Sequence, residues 1–396
     1  MTKKLVAVVL SVVLILPSLL LPLAGCKTEP AKADIWASDF AIKLFQRSVS
    51  SEENSMISPM SVICALAMVA NGADANTLAQ MEAVLGFTVA ELNEYLSQYM
   101  RSISSADNCK INIANSIWYK NDFTIQMNFL QLCADYYGAS VNKAPFDSST
   151  LKAINDWVSD NTDGMIKNIL DNIRSDAVMY LINAIAFDAE WQRIYLESEV
   201  RSGTFTAISG ETRNVQMMYG TESAYLDDGF ATGFIKYYSG GRYAFVALLP
   251  NDGMTIGDYV LTLSGERLAA TISNAQQTIV YTAIPKFESE YSIGMADILS
   301  SIGMSDAFMP DLADFTKLGR SDAGNLYIGE VIHKTFISVD ERGTKAGAAT
   351  SVEVRAVGSF TGQTVYLDRP FVYMIIDCET NLPVFAPLFI GTVLDI

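Results

Sequence analysis

Histidine is nearly absent: the 396-residue chain holds one, His333. One histidine permits at most one histidine-based catalytic triad and no multi-histidine metal cluster. Basic residues are also scarce, 27 against 44 acidic ones, for a formal net charge of −17. That sign argues against DNA, RNA, polyanionic sugars and acidic lipid as main partners. The five cysteines include no Cys-x-x-Cys spacing, so a zinc or thioredoxin-like site has little support. Phosphate-binding Gly-x-x-x-x-Gly-Lys-Ser/Thr, dinucleotide-binding Gly-x-Gly-x-x-Gly and hydrolase Gly-x-Ser-x-Gly motifs are missing too. Carboxylates are numerous but scattered, and no pair stands out as the acid and base of a glycosidase. The chain does not read as an enzyme, and no cofactor or metal is expected. What it has in plenty is apolar residues, 50% of the total, ample for a packed core.

The longest apolar run lies at the amino terminus. Lys3 and Lys4 precede Leu5 to Leu23, the charged-then-apolar pattern of a secretory leader. A membrane anchor is the competing reading, since the run approaches the roughly 20 residues that span a bilayer. It ends in Leu23-Ala24-Gly25-Cys26, which resembles a bacterial lipobox and implies cleavage before Cys26 and lipid on that residue. The expected division is a leader over 1–25, a lipidated Cys26 with a short tether to 34, and one domain over 35–396. Such a protein would lie outside the cytoplasm, either on a bacterial surface, touching membrane through its lipid alone, or released from the cell.

From Ile35 onward there is no linker, charge block or repeat. The first third reads as helical. Trp36, Phe40, Leu44 and Phe45 share one face, and Ser58-Pro59 supplies an N-cap followed by Pro at the first helical position. Helical patterns continue through Met81 to Leu85, Leu92 to Met100, Met127 to Tyr137 and Ile154 to Trp157. Strands then take over. Val178 to Phe187 is apolar on both faces, as a covered central strand would be, and Tyr243 to Leu249 reads alike. Thr278 to Ile284, Tyr327 to Val339, Phe371 to Ile376 and Val384 to Val393 complete a strand-rich second half. Helices and strands interleave without the alternation of a parallel α/β fold, which predicts one large α+β domain. Cys64 and Cys378 read as buried small hydrophobes; pairing among Cys64, Cys109, Cys133 and Cys378 is not legible.

The most unusual stretch is Asp340 to Pro370. Between Thr344 and Ala356 one parity set is Thr344, Ala346, Ala348, Thr350, Val352, Val354 and Ala356, all small or β-branched. The other is Lys345, Gly347, Ala349, Ser351, Glu353 and Arg355, mostly polar or tiny. That is a strand with a core face and a solvent face. Yet Val357-Gly358-Ser359-Phe360-Thr361-Gly362 follows, reading as an exposed, cleavable tip. Either this is an ordinary hairpin strand, or it is a loop held outside a sheet with side chains suited to entering it.

Four separated motifs, in order, resemble the serpin family from about Ile35 to Ile396. They are Asn54 to Ser61 (Asn-Ser-Met-Ile-Ser-Pro-Met-Ser), Asn183 to Phe187 with Trp191, Ile332 to Ala346 with Asp340-Glu341 and Gly343-Thr344, and Arg369-Pro370-Phe371. The resemblance implies that Ser58, Ser61, Asn183 and His333 form a buried polar cluster under the main sheet, the shutter. It makes His333 structural. It also implies that Trp191, Lys286 and Glu341 form the breach, where the loop enters the sheet, with an ion pair between Lys286 and Glu341. Glu341, Gly343, Thr344, Ala346, Ala348 and Thr350 would be the hinge.

The implied activity is suicide inhibition of a serine or cysteine protease. The protease cleaves the reactive loop, within about 341–368, and is trapped as the acyl-enzyme when the cleaved loop inserts as a new strand. The hinge carries neither proline nor charge on its inserting face, which favours an inhibitor. The alternative is a non-inhibitory serpin serving as a surface binding module. Counting forward from Glu341 gives Val357-Gly358 as the reactive bond, suited to an elastase- or subtilisin-like protease. Arg355-Ala356 would suit a trypsin-like enzyme. Counting back from Pro370 gives Ser359-Phe360, with Phe360 suited to a chymotrypsin-like one. A monomer is the expected state.

Overall fold

Ser58 starts the fold's most buried helix. Its side chain accepts the N–H of Ser61, and Pro59 at the first helical position removes an N–H that has no helical partner. In the computed structural model, which describes residues 32–103, 108–322, 324–344, 362–378 and 387–396, this is helix α2 (Pro59–Ala70). Ten of its twelve residues are buried, consistent with an apolar character all round. Helix α1 (Lys32–Ser48) precedes it and turns Phe40, Leu44 and Phe45 into the same core. Further helices at Ala75–Leu85, Val89–Ser102 and Met127–Tyr137 join the core that holds α2, whereas the helix Ser148–Asn161 packs Ile154 and Val158 with Trp118, Ile182 and Ala184 on the opposite face of the main sheet. None of the helices among the described residues is long and apolar enough to cross a membrane.

The main sheet contains, in chain order, β1 (Cys109–Lys120), β2 (Ser140–Ala144), β3 (Met179–Glu190), β4 (Phe287–Gly294), β5 (Ile332–Val339) and β6 (Gly343–Thr344). Its spatial order is β4-β5-β6-β3-β1-β2. Strand β6 is two residues long and antiparallel to both neighbours, with Thr344 opposite Val339 on one side and Ala189 on the other. Beyond it no ladder joins β3 to β5 among the described residues. The sheet is therefore pinned at one end and parted along the rest of that seam.

A second sheet has nine strands among the described residues. Its centre is Tyr243–Pro250 beside Phe371–Asp377, both buried at every position. The α+β serpin fold is what the sequence predicts. Several details differ. Strands β1, β2 and β4, and the strands Val200–Thr206, Thr212–Asp227 and Ala231–Tyr237, lie in stretches not read as strand. Strand β5 starts at Ile332 rather than Tyr327, because its partner β4 ends at Gly294 and the chain turns into the helix Ala296–Ser301. The last strand is Phe389–Val393, shorter than Val384 to Val393, whose first residues lie partly outside those described. Strand β3 is not covered throughout: Met179, Tyr180 and Leu181 are only half-buried, since they border the parted seam.

Cys64, Cys109 and Cys133 are free thiols. Burial pushes the thiols of Cys64 and Cys133 up to about 12 and that of Cys109 up to about 11, which keeps them protonated and inert at neutral pH. Cys378 is half-buried rather than core, because it stands just past the end of its strand.

Candidate functional site

The parted seam is lined on one wall by Met179 to Asn183 of β3 and on the other by Ile332 to Lys334 of β5. Ser61, Leu66 and Val69 of α2 form the floor of a cavity of about 350 Å³ between them. A continuous chain of hydrogen bonds runs along this floor. Asn115 and Asn183 stand directly opposite each other in the β1–β3 register, so their side chains share a face. Asn183 Nδ2 donates to Asn115 Oδ1 at 2.8 Å, and Asn115 Nδ2 donates to the Tyr137 carbonyl at 2.9 Å. The Ser61 hydroxyl donates to Asn183 Oδ1.

Ser58 completes the link to the far wall: its backbone N–H donates to His333 Nε2 at 2.9 Å. His333 alternates inward with Thr335, Ile337 and Val339 along β5. Burial lowers its pKa to about 4, so it is a neutral acceptor at physiological pH. The four polar residues grouped from sequence are thus in one connected cluster with α2 between the two walls. Asn115 belongs to the same cluster, and sequence reading missed it. The signal was there: Cys109, Ile111, Ile113, Asn115 and Ile117 share one parity, and Asn115 is the polar member of an apolar set.

At the pinned end, a tight turn joins β5 to β6. Asp340 Oδ1 accepts the N–H groups of Arg342 at 2.8 Å and Gly343 at 3.2 Å. Trp191, the residue after β3, spans the seam: its Nε1 donates to the Asp340 carbonyl at 2.9 Å, and its backbone N–H donates to the Arg342 carbonyl at 2.7 Å. Its ring stacks on Tyr238 at 4.6 Å between centroids. The Tyr238 hydroxyl lies 2.6 Å from Thr344 Oγ1, both buried. Lys286 and Glu341 form an ion pair about one-third exposed on each side. Burial pushes the Glu341 carboxyl up, but the Lys286 hydrogen bond and charge outweigh this and hold it below the ordinary carboxylate value. Arg342 also pairs with Glu190 at 3.0 Å.

Gly343 has a steric reason: a Cβ there would run into the Ala189 carbonyl oxygen and the Glu190 backbone. Tyr238, Asp340 and Arg342 have no role assigned from sequence, because their roles depend on where Trp191 and β3 come to lie. Cys26, Ala346, Ala348 and Thr350, and the candidate cleavage residues Arg355, Ala356, Val357, Gly358, Ser359 and Phe360, lie outside the described residues. Among the described residues no group of three or more His, Cys, Asp or Glu side chains is arranged to hold a metal.

Comparison with known proteins agrees with this geometry. A family model described as "Serpin (serine protease inhibitor)" matches residues 36–396. The fold is similar to the crystal structure of a thermophilic serpin, tengpin, in its native state, with a TM-score of 0.87 and 50% identity, covering 93% of this chain and 96% of that one. Serpin B10 of Bos taurus is 30% identical over 380 residues, 87% of this chain and 95% of that protein. The leukocyte elastase inhibitor of Equus caballus is 28% identical over 357 residues, 85% of this chain and 93% of that protein.

Proposed function

The chain belongs to the serpin family, and we propose that it inhibits serine proteases by letting one cut its reactive loop and then inserting that loop into the main sheet. The observation that carries this reading is β6. Two hinge residues already sit between β3 and β5, antiparallel to both, at the head of a seam with no further ladder among the described residues. A strand continuing from Thr344 would find unpaired backbone edges on either side and gain a ladder with each.

The protease serine attacks a loop carbonyl, forming an acyl-enzyme and releasing the downstream chain as an amine. The freed segment then zips into the seam. About 14 residues at about 3.3 Å each carry the bound protease some 45 Å. Inhibition succeeds when this motion outruns water attack on the acyl bond, so the inhibitor contributes no catalytic residue. The native form is accordingly held by a rate rather than by equilibrium.

Val357-Gly358 is the reactive bond we favour, which suits an elastase- or subtilisin-like target; the name of the equine relative is in line with the first. Arg355-Ala356 with a trypsin-like enzyme is second, and Ser359-Phe360 third. Ala346, Ala348 and Thr350 would follow Thr344 into the inner face. Placement at a bacterial surface through lipid on Cys26 fits the amino-terminal pattern.

The test mixes the purified protein with elastase-, subtilisin-, trypsin- and chymotrypsin-like proteases, followed by boiling in SDS. A band at the summed mass, with a released peptide beginning at Gly358, is the expected result. Cleavage by all four with no such band would make the protein a substrate and favour the non-inhibitory binding module.

A further inference from the structure

Lys236 belongs to none of the motifs above, yet its side chain is only 3% exposed. It lies on the strand Ala231–Tyr237 of the second sheet, beneath the pinned end of the seam. A buried ammonium is costly unless it is paired and hydrogen-bonded. Here Nζ donates to Glu222 Oε1 at 2.8 Å and to the Arg193 carbonyl at 3.5 Å. It also stands 5.2 Å from the Trp191 ring centroid and 4.5 Å from that of Tyr195, within range of cation–π attraction from both. Burial presses its pKa down, but Tyr195 and Glu222 outweigh that and hold it above the ordinary lysine value.

Both rings belong to residues that grip the hinge. The backbone N–H of Tyr195 donates to the Glu341 carbonyl at 2.9 Å, and that of Trp191 to the Arg342 carbonyl at 2.7 Å. With Trp191 Nε1 on the Asp340 carbonyl, three consecutive carbonyls of the turn are held by two residues, and Lys236 touches the side chains of both. An aliphatic residue could fill this space with no charge to desolvate. What the charge adds is a directional link: Glu222 fixes the ammonium, and the ammonium fixes the two rings.

We propose that Lys236 is a positioning residue of the hinge, drawing Trp191 and Tyr195 together beneath residues 340–342 and so setting how often the turn releases β6. Its bearing on inhibition rests on the function proposed above, whereas its effect on the turn does not.

Amide hydrogen exchange on the full chain tests this directly. Lys236→Met keeps the length and apolar stem while removing the charge. It is expected to speed exchange at Trp191, Tyr195 and Gly343 about tenfold, leaving the amides of Tyr243–Pro250 unchanged. Lys236→Arg should stay within about threefold of the unaltered protein, since a guanidinium can keep both the ion pair and the ring contacts. Glu222→Gln preserves volume and provides the second variant, with the same local acceleration in smaller measure. An equal rise across both sheets would make Lys236 an ordinary stability residue and overturn the proposal. So would unchanged exchange at the three hinge-side amides in Lys236→Met or, if that variant fails to fold, in Glu222→Gln. The local acceleration in a protein that traps no protease would sink the inhibitory reading and leave the role of Lys236 standing.

Discussion

The backbone N–H of Ser58 meets Nε2 of His333 at 2.9 Å, so the first turn of α2 is fastened to β5 by a bond that only a neutral imidazole can accept. The native state refuses a proton at His333 until about pH 4, whereas the unfolded chain takes one up near the ordinary value of about 6.5. Between those values the unfolded state binds more protons, so stability is full above about pH 6.5 and falls as the pH drops toward 4. Thermal inactivation of the native protein is expected to accelerate from pH 7 to pH 5, and His333→Gln to flatten that slope. With one histidine in the chain, an unchanged slope in the variant would remove His333 as its source.

Asn183 joins Ser61 to Asn115. Asn183→Ala leaves the Ser61 hydroxyl and Asn115 Oδ1 without that partner, at a cost of about 1–3 kcal/mol. The measurement is the denaturation midpoint of the uncleaved protein. A loss of only a few tenths of a kcal/mol would mean that other groups take over both bonds.

The Tyr238–Thr344 contact is buried on both sides, which gives it a distinctive mutational pattern. Tyr238→Phe alone strands the Thr344 hydroxyl and should cost about 1–2 kcal/mol. Adding Thr344→Val removes the stranded group and should recover most of that loss. A double-mutant cycle with additive terms would contradict the coupling.

Gly343→Ala places a methyl group against the Ala189 carbonyl, where β3 has no slack. The variant should fold, with β6 displaced from its seat. Loop cleavage is expected to persist while the SDS-stable complex falls to a small fraction of the unaltered protein's yield. Undiminished trapping would show that β6 need not be seated for insertion.

Sequence reading reached furthest where a local cue has one physical meaning. Ser58-Pro59 opens a helix whatever surrounds it, and the inward parity of Thr344 needs only alternation to be seen. It failed where polar residues serve the core. Strand β1 was passed over because Asn115 and Ser116, both buried, interrupt its apolar run. The short alternation in Phe287–Gly294 was passed over because Glu288, Ser289 and Glu290 make it look like surface. Lys236 could not be placed at all: a lysine in a strand reads as solvent-facing until Glu222, Trp191 and Tyr195 are brought around it from two other segments.

The seating of β6 also sets a reading frame. Side chains alternate strictly along a strand, so the inward turn of Thr344 assigns a face to every residue that would follow it into the seam. In that frame the small and β-branched set meets the core. A shift by one position would put Lys345, Glu353 and Arg355 there instead, and three charges would have no counterions waiting. Adding or deleting a single residue between Asp340 and Thr344 should therefore be more damaging than many substitutions farther along, because it transposes the whole segment at once.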